Sequence, residues 1–250
     1  MKGAADRPVR PPRVERLMTE NTVHKIAAFD FDGTSIRGNS PVLLVRKLLR
    51  DGMLGKRVTA KIASWGVAYK FRLPQNEAWV RGLVFTAFAG RKKADADAYL
   101  RDFYDEVIAG QNRFRPQADA AMRALQERGV EVLVVSATFE PIIERAQELH
   151  SFDGFIATKM AVDERGLYTT RVDGPCVEGQ EKVNCIRAYA DARYGAGNWE
   201  LVEAYGDHHS DSPLLSAATR GFAVCPDNPL EREARRRGWT VLDWSEDVKN

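Results

Sequence analysis

His24-Lys25-Ile26-Ala27-Ala28-Phe29-Asp30-Phe31-Asp32-Gly33-Thr34-Ser35 is the stretch whose reading decides the fold. A short run rich in bulky apolar residues stops at two carboxylates with one residue between them, and Gly-Thr follows at once. Residues 26–31 read as a buried central strand of a parallel sheet, too short for a helix and closed by a turn. Open α/β sheets bind ligands at the carboxyl ends of their strands, so Asp30 and Asp32 stand where chemistry is expected. Strand alternation would aim both side chains at one face, although the turn at Gly33 leaves their relative aim open. Two acids this close repel unless a cation or a shared proton offsets them. Mg²⁺ is the natural answer, because hard divalent ions take carboxylate and carbonyl oxygens. The plainer reading is a strand end followed by an Asp-Gly turn; the apolar run in front of the pair favours a site.

Working outward, a chain of 250 residues is long enough for one large domain, or for a core with a smaller inserted one. Its apolar content of 44% supplies an ordinary core, and a net charge of +2 says little until its distribution is seen. Cys176, Cys185 and Cys225 are widely spaced with no Cys-x-x-Cys pair, which suggests reduced thiols in a cytoplasmic protein and not a disulfide frame or a zinc site. Arg and Lys interrupt every apolar segment before it reaches the length of a bilayer span. Residues 1–22 are rich in Arg and Pro, lack the apolar core of a signal peptide, and read as a flexible tail.

After the first strand the sequence changes character. Asn39-Ser40-Pro41 looks like a helix start. Leu43, Leu44, Leu48 and Leu49 mark one helical face, segments 58–71 and 77–88 are helical by spacing, and 94–109 is a fourth helix. A helical insert over 38–113 therefore separates the first strand from the rest of the core. It is basic: Lys and Arg occupy 37, 46, 47, 50, 56, 57, 61, 70, 72, 81, 91, 92 and 93, against only Asp51 and Glu77 over the same span. Trp65, Tyr69, Phe71, Trp79, Phe85 and Phe88 are interleaved with these charges. Most of these aromatics read as the core of the insert and much of the charge as a solvated face; such a field would also attract anionic ligands, or an anionic membrane surface at the inner side of the membrane, which is the rival reading.

The core resumes at Pro116. Helix 118–128 is closed by Gly129, strand 130–135 ends in Ser136-Ala137-Thr138, and helix 141–150 and strand 154–158 follow. Residues 167–172 read as half of a hairpin, 182–194 as a helix, and 201–206 as a strand ending in Asp207-His208-His209-Ser210-Asp211. A short helix at 213–218, strand 221–225, helix 230–237 and strand 239–242 complete the chain. This alternation implies a Rossmann-like parallel sheet covered on both faces.

The first stretch resembles the Asp-x-Asp-x-Thr motif of the haloacid dehalogenase superfamily of phosphatases, and Asp30, Asp32, Ser136, Lys182, Asp207 and Asp211 match that family's four motifs in order. The helical insert between the first two motifs resembles the cap of the phosphoserine-phosphatase-like branch. Taken singly, Ser136 is as readily a helix cap, and Asp211 a cap for the next short helix. Lys182 near a helix start is odd on dipole grounds unless it faces an anion.

The resemblance implies a Mg²⁺-dependent phosphomonoesterase that works through an aspartyl phosphate. Asp30 is then the nucleophile and Asp32 the acid and base. Asp30, Asp32 (through its backbone carbonyl) and Asp207 hold the metal. Ser136, Lys182 and Gly33 meet the phosphoryl group. Asp211 orients Lys182 or metal-bound water, and Thr34 supports the turn. Phosphoserine phosphatases carry an acidic residue shortly after the first motif, where this chain reads Arg37-Gly38-Asn39-Ser40, and His208-His209-Ser210 replaces a position often held by Asn. The expected partner is therefore an anionic or lipid-like phosphomonoester and not a nucleic acid, with phosphoserine or another small metabolite as the alternative. A rival of another class is a phospho-accepting or membrane-associated binding protein without turnover.

Overall fold

The protein is represented by a computed structural model that describes residues 23–55 and 77–245. The expected tail, the helix at 58–71 with its aromatic residues, and the basic positions 56, 57, 61, 70 and 72 lie outside the described residues.

Strand β1 (His24–Phe29) lies at the centre of a seven-stranded sheet, with β2 (Glu131–Phe139) on one side and β5 (Trp199–Gly206) on the other. Beyond β2 come β3 (Gly154–Val162) and β4 (Tyr168–Asp173); beyond β5 come β6 (Arg220–Val224) and β7 (Thr240–Leu242). Every neighbouring pair is parallel except the β3–β4 hairpin. This is the α/β class that the alternating segments imply.

The short apolar runs become central strands because both of their faces are buried. Ala27, Phe29, Val132 and Val134 enter one apolar cluster while Ile26, Ala28, Leu133 and Val135 enter the other, the period of two that a pleated strand imposes. Helices α4 (Pro116–Glu127) and α5 (Glu140–Gln147) contribute Ala118, Met122, Ile142 and Ile143 to the first cluster. Helices α6 (Gln180–Tyr194), α7 (Ser212–Ala217) and α8 (Asn228–Arg237) contribute Ile186, Leu214, Leu215 and Leu230 to the second.

Three α-helices among the described residues lie between β1 and α4: α1 (Ser40–Arg50), α2 (Glu77–Phe88) and α3 (Lys93–Phe103). The expected single helix over 94–109 changes pitch at Tyr104, and Tyr104–Ala109 is a π-helical turn. The segment leaves and rejoins the core at one place. The Arg37 N–H donates to the Arg113 carbonyl at 2.7 Å and the Arg115 N–H to the Ser35 carbonyl at 2.8 Å, with Ile36 bridged to Phe114 between them.

The β3–β4 hairpin meets the α2–α3 connection through the backbone. Gly90 N–H donates to the Tyr168 carbonyl at 2.8 Å, Tyr168 N–H to the Arg91 carbonyl at 2.9 Å, and Lys93 N–H to the Gly166 carbonyl at 3.0 Å. The Tyr168 hydroxyl adds a bond to Asp97 at 2.5 Å.

The described part of the basic face is partly neutralised: Lys47 lies 3.0 Å from Asp51 and 2.5 Å from Glu106, which also takes Arg50. Among the described residues no helix is long and apolar enough to cross a membrane.

Candidate active site

The site forms where β1, β2 and β5 end. β1 stops at Phe29, two residues before the expected end, so Asp30 begins the turn and the Asp30–Ser35 loop is free to wrap. That loop is tied down locally. The Ser35 hydroxyl donates to the Asp30 carbonyl at 2.6 Å, and the N–H groups of Ser35 and Ile36 donate to the Phe31 carbonyl at 3.0 and 2.9 Å. Gly33 has φ +74°, and a Cβ there would lie 1.9 Å from Oδ2 of Asp207. Only a glycine lets the loop from β1 close against the carboxylate from β5. Gly206 serves the same end, since a Cβ on it would meet Cβ of Asp211 at 2.6 Å.

Lys182 ties these pieces together. Its ammonium donates to Oδ1 of Asp30 at 2.5 Å and to Oδ1 of Asp211 at 2.6 Å, and all three side chains are almost fully buried. Asp211 also accepts the His208 N–H on Oδ2 at 3.3 Å, so it holds Lys182 and closes its own turn; it makes no side-chain cap to the following helix, the other role the sequence offered. Asp207 receives the Thr34 hydroxyl on Oδ1 at 3.3 Å. Thr34 was expected to brace the turn; it reaches across to Asp207 instead, and Ser35 braces the turn.

Carboxylate oxygens of Asp30, Asp207 and Asp211 lie within 4.8 Å of one another. Burial, with Asp211 and Asp32 adding repulsion against the attraction of Lys182, pushes Asp30 up to about 8. Burial and the charges of Asp30 and Asp211 push Asp207 up to about 9. Burial disfavours the Lys182 ammonium, yet Asp211 and Asp30 outweigh it and hold the lysine above its usual range. One buried cation thus faces more carboxylates than it can neutralise. The surplus must bind protons or a second cation.

A divalent ion fits this donor set. A hard ion held about 2.1 Å from each oxygen separates its ligands by roughly 3–4 Å, and the oxygens here lie within 4.8 Å of one another. Lys182 occupies only Oδ1 of Asp30, which leaves Oδ2 of Asp30 and of Asp207 for such an ion.

Asp32 is built differently. Its Oδ1 accepts the Ser40 N–H at 2.5 Å, and its Oδ2 accepts the hydroxyls of Ser40 at 3.0 Å and Thr138 at 2.7 Å. Its carboxyl oxygens are thus held by hydroxyls and a backbone N–H and are not among the clustered carboxylates, and burial raises it above the usual carboxylate range despite these donors. Ser136 lies fully buried in β2 with its hydroxyl accepting the Thr138 N–H at 3.1 Å.

Ser40 and Thr138 were missed as site residues. Ser40 reads as an ordinary first helical residue and Thr138 as the tail of a strand, and 98 residues separate them. The one available signal was a second hydroxyl two places after Ser136.

The family model of the haloacid dehalogenase-like hydrolases matches residues 27–216. The chain belongs to that family. Among its relatives, phosphoserine phosphatase SerB1 of Mycobacterium tuberculosis is 28% identical over 226 residues, covering 87% of this chain and 70% of its own. Histidinol-phosphatase of Neisseria meningitidis serogroup C is 26% identical over 226 residues, covering 88% of this chain and 98% of its own. A Bordetella pertussis Tohama I protein of unknown function has the same fold, with a TM-score of 0.77 at 24% identity over 89% of this chain and all of its own. The expectation of a haloacid dehalogenase-like hydrolase of the phosphatase kind is met by the family match and by relatives that bear phosphatase names.

Proposed function

We propose that the protein is a Mg²⁺-dependent phosphomonoesterase acting through an aspartyl phosphate, with the helical insert over 38–113 serving as its cap. The observation that carries this reading is Lys182 held between Asp30 and Asp211, with Asp207 alongside. Asp30 and Asp207, with the Asp32 carbonyl, would hold the ion, which supplies positive charge against the phosphoryl oxygens.

Asp30 attacks phosphorus as its bond to the leaving oxygen breaks, and Asp32 gives that oxygen a proton. Water then attacks the phosphorus of the aspartyl phosphate and passes its proton to Asp32, which restores both carboxyl groups and releases phosphate. Burial keeps Asp32 protonated to a higher pH than a free carboxyl, which suits the first step. Ser40 and Thr138 hold its carboxyl in one orientation for both steps. Lys182 and Ser136 take the phosphoryl oxygens, where charge accumulates in the transition state; Gly33, expected to join them, has its N–H spent on the Gly38 carbonyl at 2.9 Å.

The substrate is a small phosphomonoester. The relatives are named for phosphoserine and for histidinol phosphate, and those names lend no support to a lipid-like leaving group or to membrane contact. Residues 33–40 offer no carboxylate to an amine, the Arg37 guanidinium donates to the Asn112 carbonyl at 2.9 Å, and Asn39 is spent capping α1. Phosphoserine therefore ranks below small monoesters that lack an ammonium group near the ester.

A screen of small monoesters with and without Mg²⁺, alongside Asp30→Asn, tests this reading. The expected result is Mg²⁺-dependent phosphate release that Asp30→Asn abolishes while the melting behaviour stays near that of the parent. Undiminished turnover by Asp30→Asn would falsify the nucleophile assignment, and phosphoserine ranking first would overturn the substrate reading.

A further inference from the structure

Arg115 is a buried cation that the scheme above does not use, 7% exposed at the start of α4. Its backbone is fixed by the bond from its N–H to the Ser35 carbonyl. Its guanidinium then reaches two chain segments that are distant in sequence. Nη2 donates to the carbonyl of Gly33 at 3.1 Å and Nη1 to the carbonyl of Trp244 at 2.5 Å, while Nε is buried without a partner among the described residues. A guanidinium taken out of water is costly, and the charge of Asp243, whose carboxyl Ser245 and Arg115 help hold below its usual range, offsets part of that cost. The planar guanidinium fork, however, can fix two carbonyls at a set separation, which a lysine cannot do.

Both carbonyls belong to segments that bear on the site. The Gly33 peptide lies against the Asp207 carboxylate with no room for a methyl group, and its N–H donates to the Gly38 carbonyl at 2.9 Å. Trp244 packs near Tyr205, which stacks on Phe29 at 4.0 Å, immediately before Asp30. The Trp244 N–H is held at 3.2 Å by Sγ of Cys225, a non-glycine residue with φ +42°. Segment 243–245 thus passes close to the loop that carries Asp30 and Asp32.

We propose that Arg115 is a positioning residue that clasps the segment after β7 to the Gly33 carbonyl and so sets the loop on which Asp30, Asp32 and Asp207 converge. Its kinetic consequence rests on the phosphatase reading; its structural consequence does not.

The test compares Arg115→Lys and Trp244→Gly with the parent by hydrogen exchange over residues 30–40, by thermal melting, and by kcat and KM on an aryl phosphate. Arg115→Lys is expected to speed exchange in 30–40 about tenfold while β2 and β5 keep their protection. Its kcat is expected to fall about 10- to 100-fold with KM nearly unchanged, the signature of misplaced groups in a formed site. Trp244→Gly, which loosens the far end of the clasp, shifts both readouts the same way by less, and carries the test if Arg115→Lys does not fold. Parental exchange over 30–40 in the folded variants overturns the proposal. So does a uniform rise in exchange across the sheet with kcat per folded molecule unchanged, the mark of a merely structural arginine. If the parent hydrolyses no monoester, the phosphatase reading fails while the exchange data still decide the clasp.

Discussion

Gly33→Ala is the sharpest single-residue probe of the site. The added methyl would overlap Oδ2 of Asp207, and the φ of +74° is unfavourable for any residue with a Cβ. The backbone strain alone is worth about 1–2 kcal/mol. Divalent-ion affinity measured by calorimetry should fall about tenfold or more, because roughly 1.4 kcal/mol corresponds to a factor of ten; unchanged affinity would show that Asp207 does not face the ion. A second prediction concerns protons. Asp30 and Asp207 are raised to about 8 and about 9 in the ion-free protein, whereas the unfolded chain titrates aspartate near 3.9. Between those limits the folded state binds more protons, so stability of the ion-free protein falls as pH rises through that window. An ion displaces the protons, so the gain in melting temperature on adding Mg²⁺ should grow from pH 6 to pH 9. A gain that shrinks over that range would contradict the arrangement of charges. Asp30, Asp32, Asp207 and Asp211 were legible as sequence because each follows a buried strand or its turn. Ser40, Thr138 and Arg115 were not, because a polar side chain whose partner lies far along the chain leaves no local pattern.

Elements were legible in proportion to how regular their burial is. The central strands stand out because both faces are apolar, whereas β3 was read too short. Its second half alternates buried Thr158 and Met160 with exposed Lys159, and only pairing with β4 makes that half a strand. The π-helical turn at Tyr104–Ala109 has no sequence signal comparable to a proline or glycine, and Tyr104 keeps a buried hydroxyl without a partner among the described residues. The β3–β4 hairpin and the α2–α3 connection meet mainly through main-chain bonds, which side-chain patterns do not reveal. Tyr168→Phe removes the one side-chain hydrogen bond described at that junction, to Asp97. It should cost about 0.5–1.5 kcal/mol, seen as a fall of a few degrees in melting temperature, with kcat on a small monoester retained. A large loss of kcat would mean that the junction does more than hold two elements together.

For the whole molecule, the sheet divides the interior into two apolar clusters, and the Asp30–Ser35 loop leaves directly from the strand between them. Phe29, fully buried and stacked on Tyr205, anchors that departure. Phe29→Ala should destabilise the fold by about 3–5 kcal/mol, read as a lower midpoint in urea; a shift below about 1 kcal/mol would show that the aromatic stack carries little of the stability. Strand identities were readable, but the order β4-β3-β2-β1-β5-β6-β7 was not, since it depends on which crossovers pack and not on any one segment. The paired strips at 35–37 and 113–115 place the two ends of the intervening helices side by side. A chain that departs and returns through one doorway can have everything beyond it exchanged without rethreading the sheet. Transplanting the corresponding stretch from a relative between those strips, with Ser40 kept to hold Asp32, should carry over that relative's preference for the alcohol half of the ester and leave the hydrolytic machinery in place.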